Sequence, residues 1–222
     1  MPNPATRAEH STLNLWRGSI ITAIVIGVVV WGLIFWSIIR YRKRPGDDQL
    51  PKQFRYHIPL EITYTVIPVI IVAVIFYFVV HSDNKINATT RNPAVTVRVE
   101  AFQWGWRFTY LDRPDGAPVA PPIVGDQIHN PTLTLPIGET VRLQLIADDV
   151  AHSFFVPEFL IKRDLIPLVN NNLDLFIQRT GLFPGHCAEF CGLYHAEMGF
   201  QVRAVPRSEF QTLMAAGLGR GS

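Results

Sequence analysis

The sequence is short of charge and short of cysteine. Asp, Glu, Lys and Arg make up 17% of its 222 residues, against about a quarter in an ordinary soluble domain. The apolar fraction is 48%, so an intrinsically disordered chain is excluded. Only two cysteines occur, Cys187 and Cys191, which rules out a disulfide framework. There is no internal repeat and no low-complexity tract. Net charge is +2, but residues 1–80 hold 8 Lys and Arg against 4 Asp and Glu, while residues 81–222 hold 12 against 14. The globular part therefore has no basic patch, and no nucleic-acid partner is expected. The length suits one large domain or a small domain with a membrane anchor, and is too short for a large multidomain enzyme.

What the chain does have is two long apolar runs. Ser19 to Ile39 is 21 residues without a charge, about 31 Å as a helix and enough to cross a bilayer core. Ile62 to Val80 is a second run of 19 residues that contains Pro68, which membrane helices tolerate. The first run is too long for a signal peptide and is followed by Arg40, Arg42, Lys43 and Arg44 instead of a small-residue cleavage site. With Lys52 and Arg55, six basic residues lie between the runs, against Arg7 and Arg17 before them. The positive-inside rule puts the connecting loop in the cytoplasm and both termini outside. Neither run contains a histidine, since His57 and His81 lie beyond them, so no intramembrane pair is available to hold haem.

The remaining 140 or so residues read as β-structure of ordinary domain size. Apolar and polar residues alternate in Thr96–Phe102, Thr132–Leu135, Val141–Ile146, Leu173–Gln178 and Gly199–Val205. Turn residues separate them at Arg113-Pro114-Asp115-Gly116, Pro121-Pro122, Asn130-Pro131 and Pro136-Ile137-Gly138. This predicts an antiparallel β-sandwich or barrel. Ser208 and Glu209 can cap a short helix to Leu213 or Met214, and Gly217–Ser222 is expected to fray. The organisation expected is an N-terminal segment and helical hairpin over 1–81 (helices about 19–40 and 61–80, loop 41–60), a β-domain over 82–207, and a tail over 208–222.

The chemistry-bearing residues crowd one loop: Gly185-His186-Cys187-Ala188-Glu189-Phe190-Cys191-Gly192-Leu193-Tyr194-His195-Ala196-Glu197-Met198. Two thiols, an imidazole and a thioether fall at the spacing C-x3-C-x3-H-x2-M, a soft donor set that selects copper or, less well, zinc. A lone Cys or Met is more often a buried apolar side chain; four such groups in twelve residues are not. A mononuclear blue-copper site leaves one thiolate surplus, and a structural zinc site leaves Met198 idle. Two thiolates bridging two coppers use every ligand if one more histidine arrives from elsewhere. His152, in Asp148-Asp149-Val150-Ala151-His152-Ser153-Phe154-Phe155, is the candidate, reaching the loop from a neighbouring strand.

From about Leu15 to Val205 the chain resembles subunit 2 of the haem–copper cytochrome c oxidases. The match is carried by C-x-E-x-C-G-x-x-H-x-x-M and the upstream D-V-x-H-S-F. The resemblance implies a two-helix transmembrane hairpin followed by an all-β cupredoxin domain, a Greek-key sandwich or barrel holding the binuclear copper centre CuA. Cys187 and Cys191 would bridge the coppers, His152 and His195 would each bind one, and Met198 and the Glu189 carbonyl would complete the set. The Glu189 side chain would bind Mg or Mn at the contact with subunit 1. The implied role is electron entry into an aa3-type oxidase: electrons from a cytochrome c pass to haem in subunit 1, where oxygen is reduced to water with proton translocation.

Two further segments fit that resemblance. In Ala101-Phe102-Gln103-Trp104-Gly105-Trp106-Arg107-Phe108, a single strand would place Phe102, Trp104, Trp106 and Phe108 on one buried face. The family instead uses the first Trp of Q-W-x-W as the electron port, which implies that role for Trp104. Gln103, Asp112, Asp148 and Asp149 become candidates for donor docking, where charges act mainly on association rate. In Leu60-Glu61-Ile62-Thr63-Tyr64-Thr65-Val66-Ile67-Pro68, a carboxylate at a membrane boundary can simply snorkel to water. The resemblance places Glu61 at the cytoplasmic mouth of the proton path called the K channel.

Leu160 and Leu168 stand where many relatives have Gly, and His186 stands where Gln is usual. His186 would point away from Cys187 in a strand, as a surface or supporting group. Glu158–Asp164 and Gly192–His195 look most like the actinobacterial branch, whose donor is a membrane-bound dihaem cytochrome c of a bc complex. The partners implied are subunits 1 and 3, such a donor, and the lipid bilayer of a bacterial plasma membrane. No cysteine near the N-terminus offers a lipid anchor, and Met1 can mark a processed or trimmed start. A quinol-oxidase subunit would lack the four ligands. A membrane-anchored copper carrier or zinc module would have no use for Gln103-Trp104 or Glu61. A nitrous oxide reductase would need a large preceding domain.

Overall fold

The computed structural model describes residues 5–7, 9–46, 53–112 and 116–217. Lys52, the turn at Arg113–Asp115 and the end from residue 218 lie outside them. The chain divides into two compact units, a helical one over Leu13–Asp83 and a β-rich one that joins the N-terminal residues up to Thr12 to the chain from Asn84 onward.

Helix α1 spans Glu9–Arg40 and α2 spans Ile58–Ile86, and both are long and apolar enough to cross a membrane. Both outrun the uncharged stretches. No glycine or proline interrupts residues 69–92, so α2 continues past Val80 until it ends at Ile86. His10 and His81 thus lie in the polar ends of helices. The start of α2 is capped reciprocally: the Leu60 N–H donates to His57 Nδ1 at 3.3 Å, and Glu61 Oε1 accepts the His57 N–H at 3.0 Å, satisfying two amides that a helix N-terminus leaves without partners.

Among the described residues the β unit has ten strands: β1 Val95–Phe102, β2 Gly105–Leu111, β3 Ile123–Asp126, β4 Thr132–Pro136, β5 Thr140–Ala147, β6 His152–Val156, β7 Ile161–Leu165, β8 Asn171–Phe176, β9 Gly181–Cys187 and β10 Gly199–Val205. They form two five-stranded sheets, ordered β3-β2-β1-β5-β8 and β4-β10-β9-β6-β7. The expectation of an antiparallel sandwich needs correction, because β1 runs parallel to β5 and β4 parallel to β10. Each parallel pair is joined through intervening strands, the long return that a parallel pairing requires. Helix α3, Arg207–Ala215, starts with Pro206 rather than Ser208 at its cap.

Alternation does what the sequence indicates along β5, where Val141, Leu143, Leu145 and Ala147 are buried and the residues between them are half-buried. Trp106, Phe154 and Phe200 fill the core near the metal-loop strands, with ring centroids 4.9 Å apart for Trp106–Phe200 and 4.7 Å for Phe154–Phe200. Tyr110 is buried, and its hydroxyl donates to the Thr134 carbonyl at 2.8 Å and accepts the Thr134 N–H at 3.0 Å. Burial raises its phenol well above the ordinary value, against the opposing effect of the Thr134 bond.

The run Phe102–Phe108 is not one strand, as its alternation suggests, but a hairpin. Phe102 pairs with Gly105 across a two-residue turn formed by Gln103 and Trp104, joined by a cis peptide. A Cβ on Gly105 would lie 2.3 Å from the Gly125 carbonyl oxygen, so β2 can begin beside β3 only at a glycine. Trp106 and Phe108 are fully buried in the core, whereas Trp104 is only partly buried and packs against it from outside.

One element has no sequence signature. Residues 5–7 pair with the end of the first sheet: the Arg7 N–H donates to Phe176 O at 3.0 Å, the Gln178 N–H to Ala5 O at 2.8 Å, and the Ala5 N–H to Glu158 O at 3.1 Å. Ala5 and Thr6 are buried there.

Candidate metal centre

Strands β6 and β9 are neighbours, with Phe154 opposite Cys187. His152 opens β6 and Cys187 closes β9, so a residue 35 positions upstream is brought beside the first thiol. The loop after Cys187 returns on itself, because the Cys187 N–H donates to the Met198 carbonyl at 3.0 Å. A 3₁₀ turn over His195–Glu197 precedes Met198. Gly192 has φ +117°, and a Cβ there would lie 3.1 Å from Gln103 Nε2 and from the Trp104 ring. The turn therefore needs glycine both for its backbone and for the approach of the hairpin.

The six sequence-predicted donors converge. Cys187 Sγ lies 3.9 Å from Cys191 Sγ, 3.9 Å from His152 Nδ1 and 3.3 Å from the Glu189 carbonyl oxygen. Cys191 Sγ lies 3.5 Å from His195 Nδ1 and 3.7 Å from Met198 Sδ. His152, Cys187, Cys191 and Met198 are all buried. The sulfurs are far beyond the ~2.05 Å of a disulfide, yet close enough for one ion to touch both at the ~2.3 Å of a metal–thiolate bond. Each thiol has its own imidazole. This soft, nearly symmetric set fits copper.

Neighbouring groups fix the ligands. Asp149 Oδ1 lies 2.8 Å from His152 Nε2, leaving Nδ1 for the sulfur side. The other oxygen of Asp149 accepts the Gln103 N–H at 2.7 Å. Burial opposes charge on His152, but the Cys187 sulfur and Asp149 outweigh it and raise its pKa. Burial likewise works against a Cys187 thiolate, yet His152 and backbone hydrogen bonds bring it down to about 6. Burial, then the Cys187 charge, pushes Cys191 up to about 12. Burial and the charge of Cys187 thus both work against ionising the second thiol once the first is charged.

Trp104 and Gln103 reach the same point: Trp104 Nε1 donates to the Cys191 carbonyl at 3.1 Å and Gln103 Nε2 to the same oxygen at 2.7 Å. Tyr194 packs edge-on against the Trp104 ring, centroids 5.1 Å apart. Asp148 is exposed and lies 3.5 Å from Arg107. Asp149, expected on a docking rim, has both oxygens engaged with His152 and Gln103. Asp112 follows β2 at the opposite end from Trp104. The Glu189 carboxylate is half-exposed and paired with Lys162 at 3.2 Å. Glu61 belongs to the helical unit, where it caps α2. His186 is exposed and packs edge-on against Phe155. Leu160 and Leu168 have φ of 46° and 66°, the left-handed conformation that glycine adopts freely. Sequence reasoning missed the Asp149–His152 contact, the Lys162–Glu189 pair and the Tyr194 packing. A carboxylate three residues before a ligand histidine is the one signal that was available.

A model of the cytochrome c oxidase subunit II periplasmic domain matches residues 95–205, the span from β1 to β10. The chain belongs to the cytochrome c oxidase subunit II family. Cytochrome c oxidase subunit 2 of Mycobacterium tuberculosis is 35% identical, the alignment covering 96% of this chain and 73% of that protein. A probable cytochrome c oxidase subunit 2 from Streptomyces avermitilis is 38% identical over 95% of this chain and 76% of its own length. Among solved structures, the periplasmic domain of subunit II of cytochrome oxidase from Bradyrhizobium japonicum is 27% identical with a TM-score of 0.50, covering 59% of this chain and 97% of that one. The β unit is thus a cupredoxin-type sandwich. The chain is a subunit of the haem–copper oxidase, anchored by its apolar helices with the β unit on the extracytoplasmic side.

Proposed function

We propose that this subunit II family member is the electron-entry subunit of an aa3-type oxidase in a bacterial plasma membrane. It would take electrons from a cytochrome c, or from a membrane-bound dihaem cytochrome c of a bc complex, and deliver them to haem in subunit 1. The observation that carries this is the pair of buried thiols 3.9 Å apart, each with an imidazole nitrogen within 3.9 Å. Bound there, the binuclear CuA group would supply one-electron chemistry.

Cys187 and Cys191 would hold both ions, His152 and His195 one each, with Met198 and the Glu189 carbonyl as the weaker donors. Both cysteines would bind copper as thiolates, so loading would release thiol protons. Asp149 would fix the His152 ring and increase its basicity. Burial keeps water from the sulfurs. Trp104 would be the port: its indole touches the backbone of a ligand residue through one hydrogen bond, and the exposed Asp148, beside Arg107, would steer the donor. The Glu189 carboxylate would reach Mg or Mn where this subunit meets subunit 1, and Glu61 would open the proton path on the cytoplasmic side. In this reading the chain between α1 and α2 is the cytoplasmic loop and the chain from the end of α2 to residue 207 the extracytoplasmic domain, with subunit 3 completing the complex.

The test is electron paramagnetic resonance of the copper-loaded full chain in detergent, beside Cys191→Ser. Hyperfine structure from one electron shared over two copper nuclei, lost or reduced to a single-copper pattern in the variant, supports the reading. A silent zinc-bound sample, or a single-copper spectrum that the substitution leaves unchanged, overturns it.

A further inference from the structure

The hairpin of β1 and β2 carries two tryptophans, and both turn the indole nitrogen toward the carbonyl of a ligand residue: Trp106 Nε1 lies 3.5 Å from Met198 O, and Trp104 Nε1 lies 3.1 Å from Cys191 O. What holds the two rings differs. Trp106 is fully buried, with Phe154 and Phe200 edge-on against it at centroid distances of 6.2 and 4.9 Å, so core packing sets its orientation. Trp104 is only partly buried, and an indole at the surface exchanges between rotamers unless its neighbours select one.

Two of those neighbours come from the ligand loop. A Cβ on Gly192 would lie 3.1 Å from the Trp104 ring and 3.3 Å from its Nε1, so the indole rests there on bare backbone. Tyr194 adds a wall: its ring meets that of Trp104 at 82° with the centroids 5.1 Å apart, the edge-to-face geometry that aromatic pairs prefer. The backbone around Tyr194 is itself fixed, because the His195 N–H donates to the Gly192 carbonyl and the Glu197 N–H to the Tyr194 carbonyl, both at 3.2 Å. The Tyr194 side chain lies outside the buried core and is 40% exposed, so its place in the loop is not explained by core packing.

We propose that Tyr194 is a positioning residue for electron entry, its ring holding the Trp104 indole in the orientation that hydrogen-bonds the Cys191 carbonyl. This role rests on the electron-entry reading, which names the port and not what fixes it. A hydrogen bond weakens steeply as it bends, so the link from the indole to a ligand backbone lasts only while the ring keeps its plane. Neither ring is chemically changed: one electron leaves the donor's ferrous haem, which becomes ferric, and reaches the bound coppers, while Tyr194 and Trp104 keep their own electrons and protons.

Two measurements on the full chain in detergent test this. The first needs no metal: exchange of the Trp104 indole N–H with water, followed by nuclear magnetic resonance of chain carrying isotope-labelled tryptophan, the resonance being assigned by its loss in Trp104→Phe. Tyr194→Leu should speed that exchange about fivefold, the middle of the range for an edge-on aromatic pair, and Tyr194→Phe, which keeps the ring, should match the parent chain. The second is stopped-flow reduction of the copper-loaded chain by reduced cytochrome c. Tyr194→Leu should lower the limiting rate about two- to fivefold, with the half-saturating cytochrome concentration and the copper hyperfine pattern unchanged. Exchange or a limiting rate that Tyr194→Leu leaves as it was overturns the proposal. So does a raised half-saturating concentration at an unchanged limiting rate, which would make Tyr194 a contact of the donor, and so does an altered hyperfine pattern, which would make it a support of His195. A parent chain that cytochrome c does not reduce, or a rate that Trp104→Phe leaves unchanged, counts against the electron-entry reading instead, and the exchange rates still decide whether Tyr194 holds the indole.

Discussion

The two units of the chain use the same apolar residues in opposite ways. In the helical unit Trp31 is 60% exposed and Ile39 70%, whereas in the β unit Trp106 and Leu143 are fully buried. The first arrangement is stable only where the surrounding medium is itself apolar; the second makes its own apolar interior. Periodicity tells them apart. The helices are apolar on all sides, while β5 alternates strictly. A composition midway between soluble and membrane protein is the sum of two unlike parts, not one intermediate kind of chain.

The sharpest way to break that comparison is a matched pair of tryptophan truncations. Trp106→Ala removes a ring packed on Phe154 and Phe200 and should destabilise the β unit by about 3–5 kcal/mol. Trp31→Ala should leave the thermal unfolding of that unit, followed by near-ultraviolet circular dichroism in detergent, where it was. Equal losses from both would contradict the division. Within the β unit, Asp149→Asn should weaken metal retention about 10- to 100-fold, read by competition with a copper chelator. Unchanged retention with slower donor oxidation would return Asp149 to a docking role. The smallest effect is at the surface, where Leu168 is fully exposed with φ 66°. Leu168→Gly should cost nothing in packing and relieve a left-handed strain of about 1 kcal/mol, raising the melting temperature; a fall would mean that the leucine side chain makes a contact of its own.

The metal loop was legible because five of its residues lie within twelve positions, and their donor chemistry is unusual enough to need no fold. His152 could be tied to them only through the preceding strand. The hairpin at Gln103–Trp104 was hidden because aromatic alternation runs straight through the turn, so Trp104 looks like a core residue until Gly105 is seen pressed against Gly125. Strand β9 carries Gly181, Pro184 and Gly185, and β7 carries Lys162-Arg163-Asp164, so neither shows an apolar period; their pairing with β10 and β6 makes them strands. Parallel pairing of β1 with β5 is a long-range choice that no local pattern encodes. The inward engagement of Asp149 is equally silent, since an exposed and a hydrogen-bonded carboxylate look the same in a sequence.

The N-terminal residues have a consequence beyond local pairing. A strand end at the margin of a sheet is an open template for other chains, and folded proteins guard such margins. Ala5–Arg7 occupy the margin at Phe176–Gln178, taking up the Phe176 carbonyl and the Gln178 amide. A chain that began after residue 7 would keep its sandwich and its sulfur ligands, but would present that margin to its neighbours. Residues 5–7 thus complete a sheet margin that a bare strand end would leave open.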